Sequence, residues 1–397
     1  MGRPVEMTVE RVVAGALGLG HEPDGRVVLA AGGLPGERVV VELLEERPRV
    51  ARGDVVEVLE PSPGRVAPPC GRLAEGCGGC DLQHAAAELQ AQLKADIVRD
   101  ALAHLGGFDD LPVDPGRPLD PSGHRTTVRC GVVDGRAAFH RRRSEDLVTA
   151  EGCLVAHPLV REVLDDGRFP GATGVVVRAG AATGERLVVV SPSVGDGVEV
   201  PAGVRVVGAD ELRAGRRAWY HEEVAGRRFR ISARSFFQAR PDGAAALADA
   251  VRRALDDVDP ATDRLADLYG GVGLFTALLG ARRSVLVERS AASVADARVN
   301  LADLDTSTVR VAVERWHPSP ADGVVADPAR SGLGRPGADA VAATGARQVA
   351  LVSCDPASLA RDLGLLAERG YEAVGVELVD LFPHTHHVEA VTALRRR

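Results

Sequence analysis

A thiol at the end of an apolar run is the first sign of chemistry in this chain. The stretch Val349-Ala350-Leu351-Val352-Ser353-Cys354-Asp355-Pro356 reads as a buried strand, broken at Ser353–Pro356 and followed by a helix over Ala357–Leu366. Cys354 then stands at the carboxyl end of a strand, where open α/β sheets bind ligands. A thiol placed there is a candidate nucleophile, and a buried free cysteine is the plain alternative. Two carboxylates share this placement at or after strand ends: Asp327, in Asp327-Pro-Ala-Arg330, and Glu389, in Phe382-Pro-His-Thr-His-His-Val-Glu389.

A second constellation surrounds Asp267-Leu-Tyr-Gly-Gly-Val-Gly273, a glycine-rich turn between a strand over Arg264–Leu268 and a helix over Leu274–Leu279. Glycines there let a ligand approach the backbone, and the helix N-terminus faces it. Glu288 follows about 20 residues on, at the end of the next strand, where an acid can accept both hydroxyls of a ribose. The dinucleotide fingerprint needs Gly or Ala where this chain has Thr276. NAD is thereby disfavoured, leaving an adenosyl ligand without a pyrophosphate, such as S-adenosylmethionine. A nucleophilic Cys, a carboxylate base and a methyl donor in one crevice suggest methylation at a pyrimidine carbon. Uracil C5 is a poor nucleophile until a thiolate adds at C6; a base must then remove the C5 proton before the thiol leaves.

The third group is Cys70-Gly-Arg-Leu-Ala-Glu-Gly-Cys77-Gly-Gly-Cys80. Cys77 and Cys80 have the spacing of two thiolates on one centre, and Cys70 supplies a third. The fourth ligand must come from afar, from Cys130 or Cys153. A [4Fe-4S] cluster or a structural zinc fits four thiolates. The histidines of the tail have no second ligand cluster near them, and no metal is expected there.

The elements that must position these groups fall into three textures. Residues 1–62 read as an all-β OB-like barrel, with strands over Thr8–Val13, Arg26–Ala31, Glu37–Leu44 and Arg52–Leu59 and glycine turns that include Gly18–Gly20. Residues 63–235 hold the cysteine loop, a helix over Glu88–Leu105 and a β-rich middle domain. Residues 236–397 alternate strands and helices, starting with a helix over Gly243–Val258 capped by Asp242, as a doubly wound, mostly parallel sheet requires. The 397 residues suit two or three domains. No run is apolar enough for a membrane span or a signal peptide, so a cytoplasmic protein without membrane contact is expected. Net charge is −8, yet Arg117–Arg143 and Arg213–Arg240 are strongly basic, which suits a bounded site for a polyanion.

Further stretches are specific. Gly33-Leu-Pro-Gly-Glu37, Pro61-Ser-Pro-Gly-Arg-Val66, Cys77-Gly-Gly-Cys80-Asp-Leu-Gln-His84, Ser235-Phe-Phe-Gln238, Asp267–Gly273, Asp327–Arg330, Val352–Pro356 and Phe382–Glu389 are spread nearly from end to end of the chain. With them the whole chain resembles the S-adenosylmethionine-dependent RNA (uracil-5-)-methyltransferase family, in the form with an N-terminal TRAM domain and an iron–sulfur cluster. The resemblance implies an N-terminal TRAM barrel, a cysteine-cluster domain and a C-terminal Rossmann-like methyltransferase domain. It implies Cys354 as nucleophile and Glu389 as base, with Gln238, Tyr269, Glu288 and Asp327 lining the methyl-donor pocket. Cys70, Cys77, Cys80 and Cys153 would hold the [4Fe-4S] cluster. The substrate would be a uridine in RNA, ribosomal ahead of transfer RNA, and the protein a monomer. Gly270 departs from a common Cys, and Ala329 from a usual second Pro. The alternatives are a non-catalytic RNA-binding protein that keeps the fold, and a cytosine-C5 RNA methyltransferase.

Overall fold

The computed structural model describes residues 2–397. An eight-stranded sheet organises the C-terminal part. Seven of its strands follow in chain order: β1 (Arg264–Leu268), β2 (Arg283–Glu288), β3 (Asp305–Arg310), β4 (Gly323–Ala326), β5 (Gln348–Ser353), β6 (Tyr371–Leu378) and β7 (Ala390–Arg396). Across the sheet they run β3-β2-β1-β4-β5-β7-β6, with the short strand Val113–Asp114 beyond β6. The first five are parallel, and β7 enters antiparallel between β5 and β6. Every residue of β4 and of β5 is buried, as strands covered on both faces must be.

Helices Leu274–Leu279, Ala291–Asn300, Gly334–Ala343 and Pro356–Ala367 connect the parallel strands or follow them. Two helices from earlier in the chain complete the layers. Ala87–Ala101 contributes Ala95 and Val98 to the core that holds Leu359, Ala360 and Leu363, and Pro241–Ala254 packs Leu247 and Val251 against β5 residues Ala350 and Val352. Among the described residues no helix is long and apolar enough to cross a membrane.

The middle region is a six-stranded sheet running from Leu147–Thr149 through Arg136–His140, Thr127–Val133, Gly174–Ala179 and Arg186–Ser191 to Val204–Gly208. A separate hairpin, Trp219–Val224 with Arg227–Ser232, leans on helix Ala291–Asn300. The N-terminal region is another six-stranded sheet, from Pro4–Thr8 to Val50–Glu60, around Val9, Val28, Val39 and Val41.

Some local expectations are corrected. Gly18 and Gly20 lie in a strand, Leu17–His21, not in a turn. A Cβ on Gly20 would come within 2.4 Å of the Thr8 carbonyl, so glycine serves close chain approach there. Asp242 does not cap its helix: Arg240 is the N-cap residue, Pro241 opens the helix, and Asp242 pairs with the Arg240 guanidinium at 2.6 Å. Strand β3 follows helix Ala291–Asn300 closely, and its Thr306, Ser307 and Thr308 lack the apolar alternation that marks a strand in the sequence. The second basic stretch is largely neutralised. Arg216, Arg227, Arg228, Arg230 and Arg240 pair with Glu211, Asp303, Glu185, Asp296 and Asp242.

Candidate active site

The register of β5 with β7 brings the thiol and the tail carboxylate to one place. Ser353 pairs with Ala390, so Cys354 and Glu389, one step beyond, face each other across the end of the ladder. Asp355 then caps helix Pro356–Ala367, its carboxylate accepting from the Ser358 N–H at 2.7 Å. On the other side of β5, Ala326 of β4 pairs with Leu351 and with Leu268 of β1. Asp327 follows Ala326, and its N–H donates to the Leu268 carbonyl at 3.2 Å. Asp327 thus stands between the glycine loop after β1 and the thiol after β5, at the point where the strand order reverses.

A row of acids results. Asp267 is fully buried; one of its oxygens accepts from the N–H and hydroxyl of Thr276, at 3.2 and 2.7 Å, and the other has no partner. Burial pushes its carboxyl up to about 6, with the Glu288 charge adding to the effect. Burial and the Asp267 charge together raise Asp327 to about 7. Glu389 is held well above the usual carboxyl range by burial first and Asp327 second. Cys354, half-buried and open to the cleft, is pushed up to about 11 by burial, then by Glu389 and Asp327, with Arg330 pulling the other way. The free site therefore keeps its thiol protonated at neutral pH, although a helix begins just beyond it. A cation entering the cleft reverses this. One unit charge at 4 Å contributes about 4 kcal/mol near a protein surface, equivalent to about three pH units.

The glycine loop is preorganised. Glu288 accepts from the N–H groups of Gly271, at 3.2 Å, and Ser290. Gly271 is left-handed, and a Cβ there would meet nothing within 4 Å, so the loop leaves open space over its backbone for a ligand. Tyr269 is held at φ +60°, with its hydroxyl donating to Glu314 at 3.0 Å. A Cβ on Gly270 would lie 2.6 Å from the Leu286 side chain, which accounts for the absence of a larger residue at that position. Tyr269, Glu288 and Asp327 share this end of the sheet. Gln238 is buried just before helix Pro241–Ala254 and makes no side-chain hydrogen bond among the described residues. The space over Gly271 and the acid at the end of β2 fit an adenosyl group.

The cysteines form a second site. Cys70, Cys77, Cys80 and Cys153 line one cavity of about 220 Å³, together with Arg72, Arg125 and Arg129. Cys130 does not line it; its side chain belongs to the apolar core of the middle sheet, with Val128 and Val175. The Cys70 N–H donates to Gln83 at 3.2 Å, and Arg72 reaches the Glu151 carbonyl at 2.9 Å, tying the first cysteine loop to the turn that carries Cys153. Burial holds the Cys77 and Cys153 thiols above their ordinary value and pushes Cys80 up to about 12. Among the described residues, no three His, Cys, Asp or Glu side chains converge on a single-ion site. Cys70, Cys77, Cys80 and Cys153 are each partly exposed around this one cavity, with three guanidinium groups beside them, a donor set that fits either a [4Fe-4S] cluster or a zinc ion.

Two further acids, Asp296 and Asp362, hold these sites in place. Asp296 accepts from Arg230, Ser232 and Ser235, and so docks the hairpin and the Ser235–Gln238 segment onto the sheet. Asp362 accepts from the N–H groups of Leu333 and Gly334 at 2.6 and 3.1 Å. An acid among the small and apolar residues of a helix was the only signal for either.

The chain is 34% identical over 99% of its length to an uncharacterized RNA methyltransferase of Streptomyces avermitilis, of which it covers 98%. It is 33% identical over 98% of its length to one of Corynebacterium glutamicum, of which it covers 96%. The fold superposes on the crystal structure of a Pyrococcus abyssi tRNA (uracil-54, C5)-methyltransferase in complex with S-adenosyl-L-homocysteine. That likeness has a TM-score of 0.73 and 22% identity, covering 98% of this chain and 99% of the other. No family model matches the chain.

Proposed function

The chain belongs to the RNA methyltransferase family, and from that premise we propose that it methylates C5 of a uridine in RNA, with S-adenosylmethionine as donor. The observation that carries this reading is that Cys354 directly follows, and Glu389 directly precedes, the paired Ser353 and Ala390 that end the β5–β7 ladder, close enough for each other's charge to count, beside Asp327 and the glycine loop.

Gln238, Tyr269, Glu288 and Asp327 would hold the donor, which supplies a methyl group bound to a sulfonium sulfur. The Cys354 sulfur, as thiolate, adds to C6 of the flipped-out base, and the C5–C6 electron pair moves to C5 as an enolate. C5 uses that pair to bond the methyl carbon as the methyl–sulfonium bond breaks, its electrons staying on sulfur in the departing S-adenosylhomocysteine. Glu389, as carboxylate, then takes the C5 proton; the freed pair restores C5–C6 and expels the thiolate. A carboxyl raised by burial is a stronger base once ionised than one in water, which suits the removal of a carbon-bound proton.

Cys70, Cys77, Cys80 and Cys153 would hold a [4Fe-4S] cluster, and with it the cysteine loop would be tied to the turn that carries Cys153. The N-terminal sheet is read as a TRAM barrel, residues 1–62, and residues 63–235 as the cluster and RNA-holding region ahead of the methyltransferase domain, 236–397. Ribosomal RNA is the proposed substrate class ahead of transfer RNA, and the protein is proposed to act as a cytoplasmic monomer.

The test is methyl transfer from labelled S-adenosylmethionine to unmodified ribosomal and transfer RNA transcripts, with the product nucleoside identified by mass spectrometry. The native protein yields 5-methyluridine and Cys354→Ala yields none. Undiminished transfer by Cys354→Ala, or label in 5-methylcytidine, would overturn the assignment.

A further inference from the structure

The mechanism uses Glu389 but leaves open what fixes its position, since it ends a loop that begins after β6. That loop is closed by the Val379 N–H donating to the Glu389 carbonyl at 2.8 Å, and most of its other anchors lie outside the methyltransferase domain. The chief one is Lys94, the single lysine of the chain, on helix Ala87–Ala101. It is 2% exposed, and its ammonium donates to the Asp380 carboxylate at 2.7 Å and to the Phe382 carbonyl at 2.9 Å. One helical turn earlier, Gln90 accepts the His384 N–H at 2.7 Å. His384 is itself left-handed, at φ +66°, and its carbonyl accepts from Asp81 and Leu82 at 3.0 and 2.9 Å. Lys94, Asp380 and Glu389 line one small cavity.

We infer that Lys94 is a positioning residue for the proton-abstracting carboxylate of Glu389, acting through Asp380 and the loop it anchors. Three features of the anchor carry this role, which rests on the reaction proposed above. First, burying an ammonium is expensive: desolvation alone pulls Lys94 below its ordinary value, and an apolar side chain of similar volume would serve packing as well or better. Second, the ammonium grips two points of the loop, a side chain and a carbonyl, which fixes its course; Gln90, on the same face, fixes the next stretch. Third, the helix that bears Lys94 also packs through Ala95 and Val98 on Leu359, Ala360 and Leu363 of the helix that starts beside Cys354. One rigid element thus contacts both the nucleophile's helix and the base's loop, and sets the separation of thiol and carboxylate. Lys94 touches neither reacting atom in the chemistry; its role is distance.

Misplacing a catalytic group by about 1 Å costs on the order of 100-fold in rate. Only the Glu389 step should suffer when Lys94 is lost, because Cys354 addition does not use the loop. The test compares native protein, Lys94→Met and Asp380→Asn on unmodified ribosomal and transfer RNA transcripts carrying [5-³H]uridine. Covalent protein–RNA adduct is read on denaturing gels, and proton removal as tritium released to water. Both variants are expected to form adduct within about twofold of the native rate. Tritium release should be slower by about 10–100-fold, so that methylated adduct accumulates. Asp380→Asn keeps the shape of the acceptor, and supplies the answer if Lys94→Met does not fold. Equal slowing of adduct formation and tritium release, or no slowing of either, overturns the inference while leaving the reaction standing. A native protein that forms no adduct on either RNA overturns the reaction itself, and this inference with it.

Discussion

Replacing Asp327 by Asn should make the protein more stable and inactive at once. Its carboxyl sits at about 7 in the folded chain against 3.8 in the unfolded chain. The folded state therefore binds the proton more tightly. Below pH 3.8 both states are protonated and the group costs nothing; as pH rises from there to about 7, the unfolded chain ionises first and stability falls. Each pH unit in that window costs about 1.4 kcal/mol, giving an upper limit of about 4 kcal/mol above pH 7. Asp327 is only half-buried, so water bears part of this cost, and about 2 kcal/mol is the expected size. No hydrogen bond to its side chain is lost in the exchange, among the described residues. The substitution also removes an anion from beside Cys354 and Glu389, both of which it raises. Thermal and urea unfolding of native and Asp327→Asn protein at pH 5 and pH 8 checks the argument. The variant should gain about 2 kcal/mol at pH 8 and about half that at pH 5. A variant no more stable than native at pH 8, or one whose advantage is the same at both pH values, refutes the reasoning.

Three further outcomes follow from the same geometry. Glu389→Gln should still add Cys354 to uridine but leave the methylated adduct unresolved, seen as a protein–RNA band that survives denaturation; an adduct that turns over at the native rate would remove Glu389 from the role of base. The sulfonium of S-adenosylmethionine should favour ionised Asp267 and Asp327, so its affinity relative to uncharged S-adenosylhomocysteine should rise severalfold as pH rises through about 6 to 7, measured by calorimetry, and a ratio independent of pH would separate these acids from the donor site. Cys153→Ser should abolish the visible iron–sulfur absorption of the isolated protein while Cys130→Ser retains it; colourless, zinc-loaded native protein would count against a cluster altogether.

What could be read in the sequence was set by locality. Strand β5 is legible because burial on both faces leaves Val349–Val352 uniformly apolar. Cys354 and Glu389 were visible as residue types at strand ends, but their juxtaposition was not. Repeating β-α units place successive strands side by side, whereas β7 inserts antiparallel between β5 and β6, and no local pattern signals that. Charge was misleading for the same reason. Counting Arg213–Arg240 gives a basic stretch, yet Arg227 and Arg230 meet Asp303 and Asp296, which lie 76 and 66 residues away. Asp296 resembles any solvated acid on a helix until the hairpin that covers it is in place.

The insertion of β7 also explains why the acids crowd. A carboxylate that must reach the same face of a base as a thiol needs a backbone next to the thiol's own strand. The parallel neighbour β4 already carries Asp327, on the side of the glycine loop. Only the other flank of β5 is free, and an antiparallel strand entering there begins, not ends, at the active edge, so Glu389 arrives on the incoming loop rather than on the strand. Glu389, the proposed proton acceptor, is thus less supported by the sheet itself than Cys354 or Asp327. It must be held from outside, which is the place Lys94, Gln90 and the Asp81–Leu82 segment occupy.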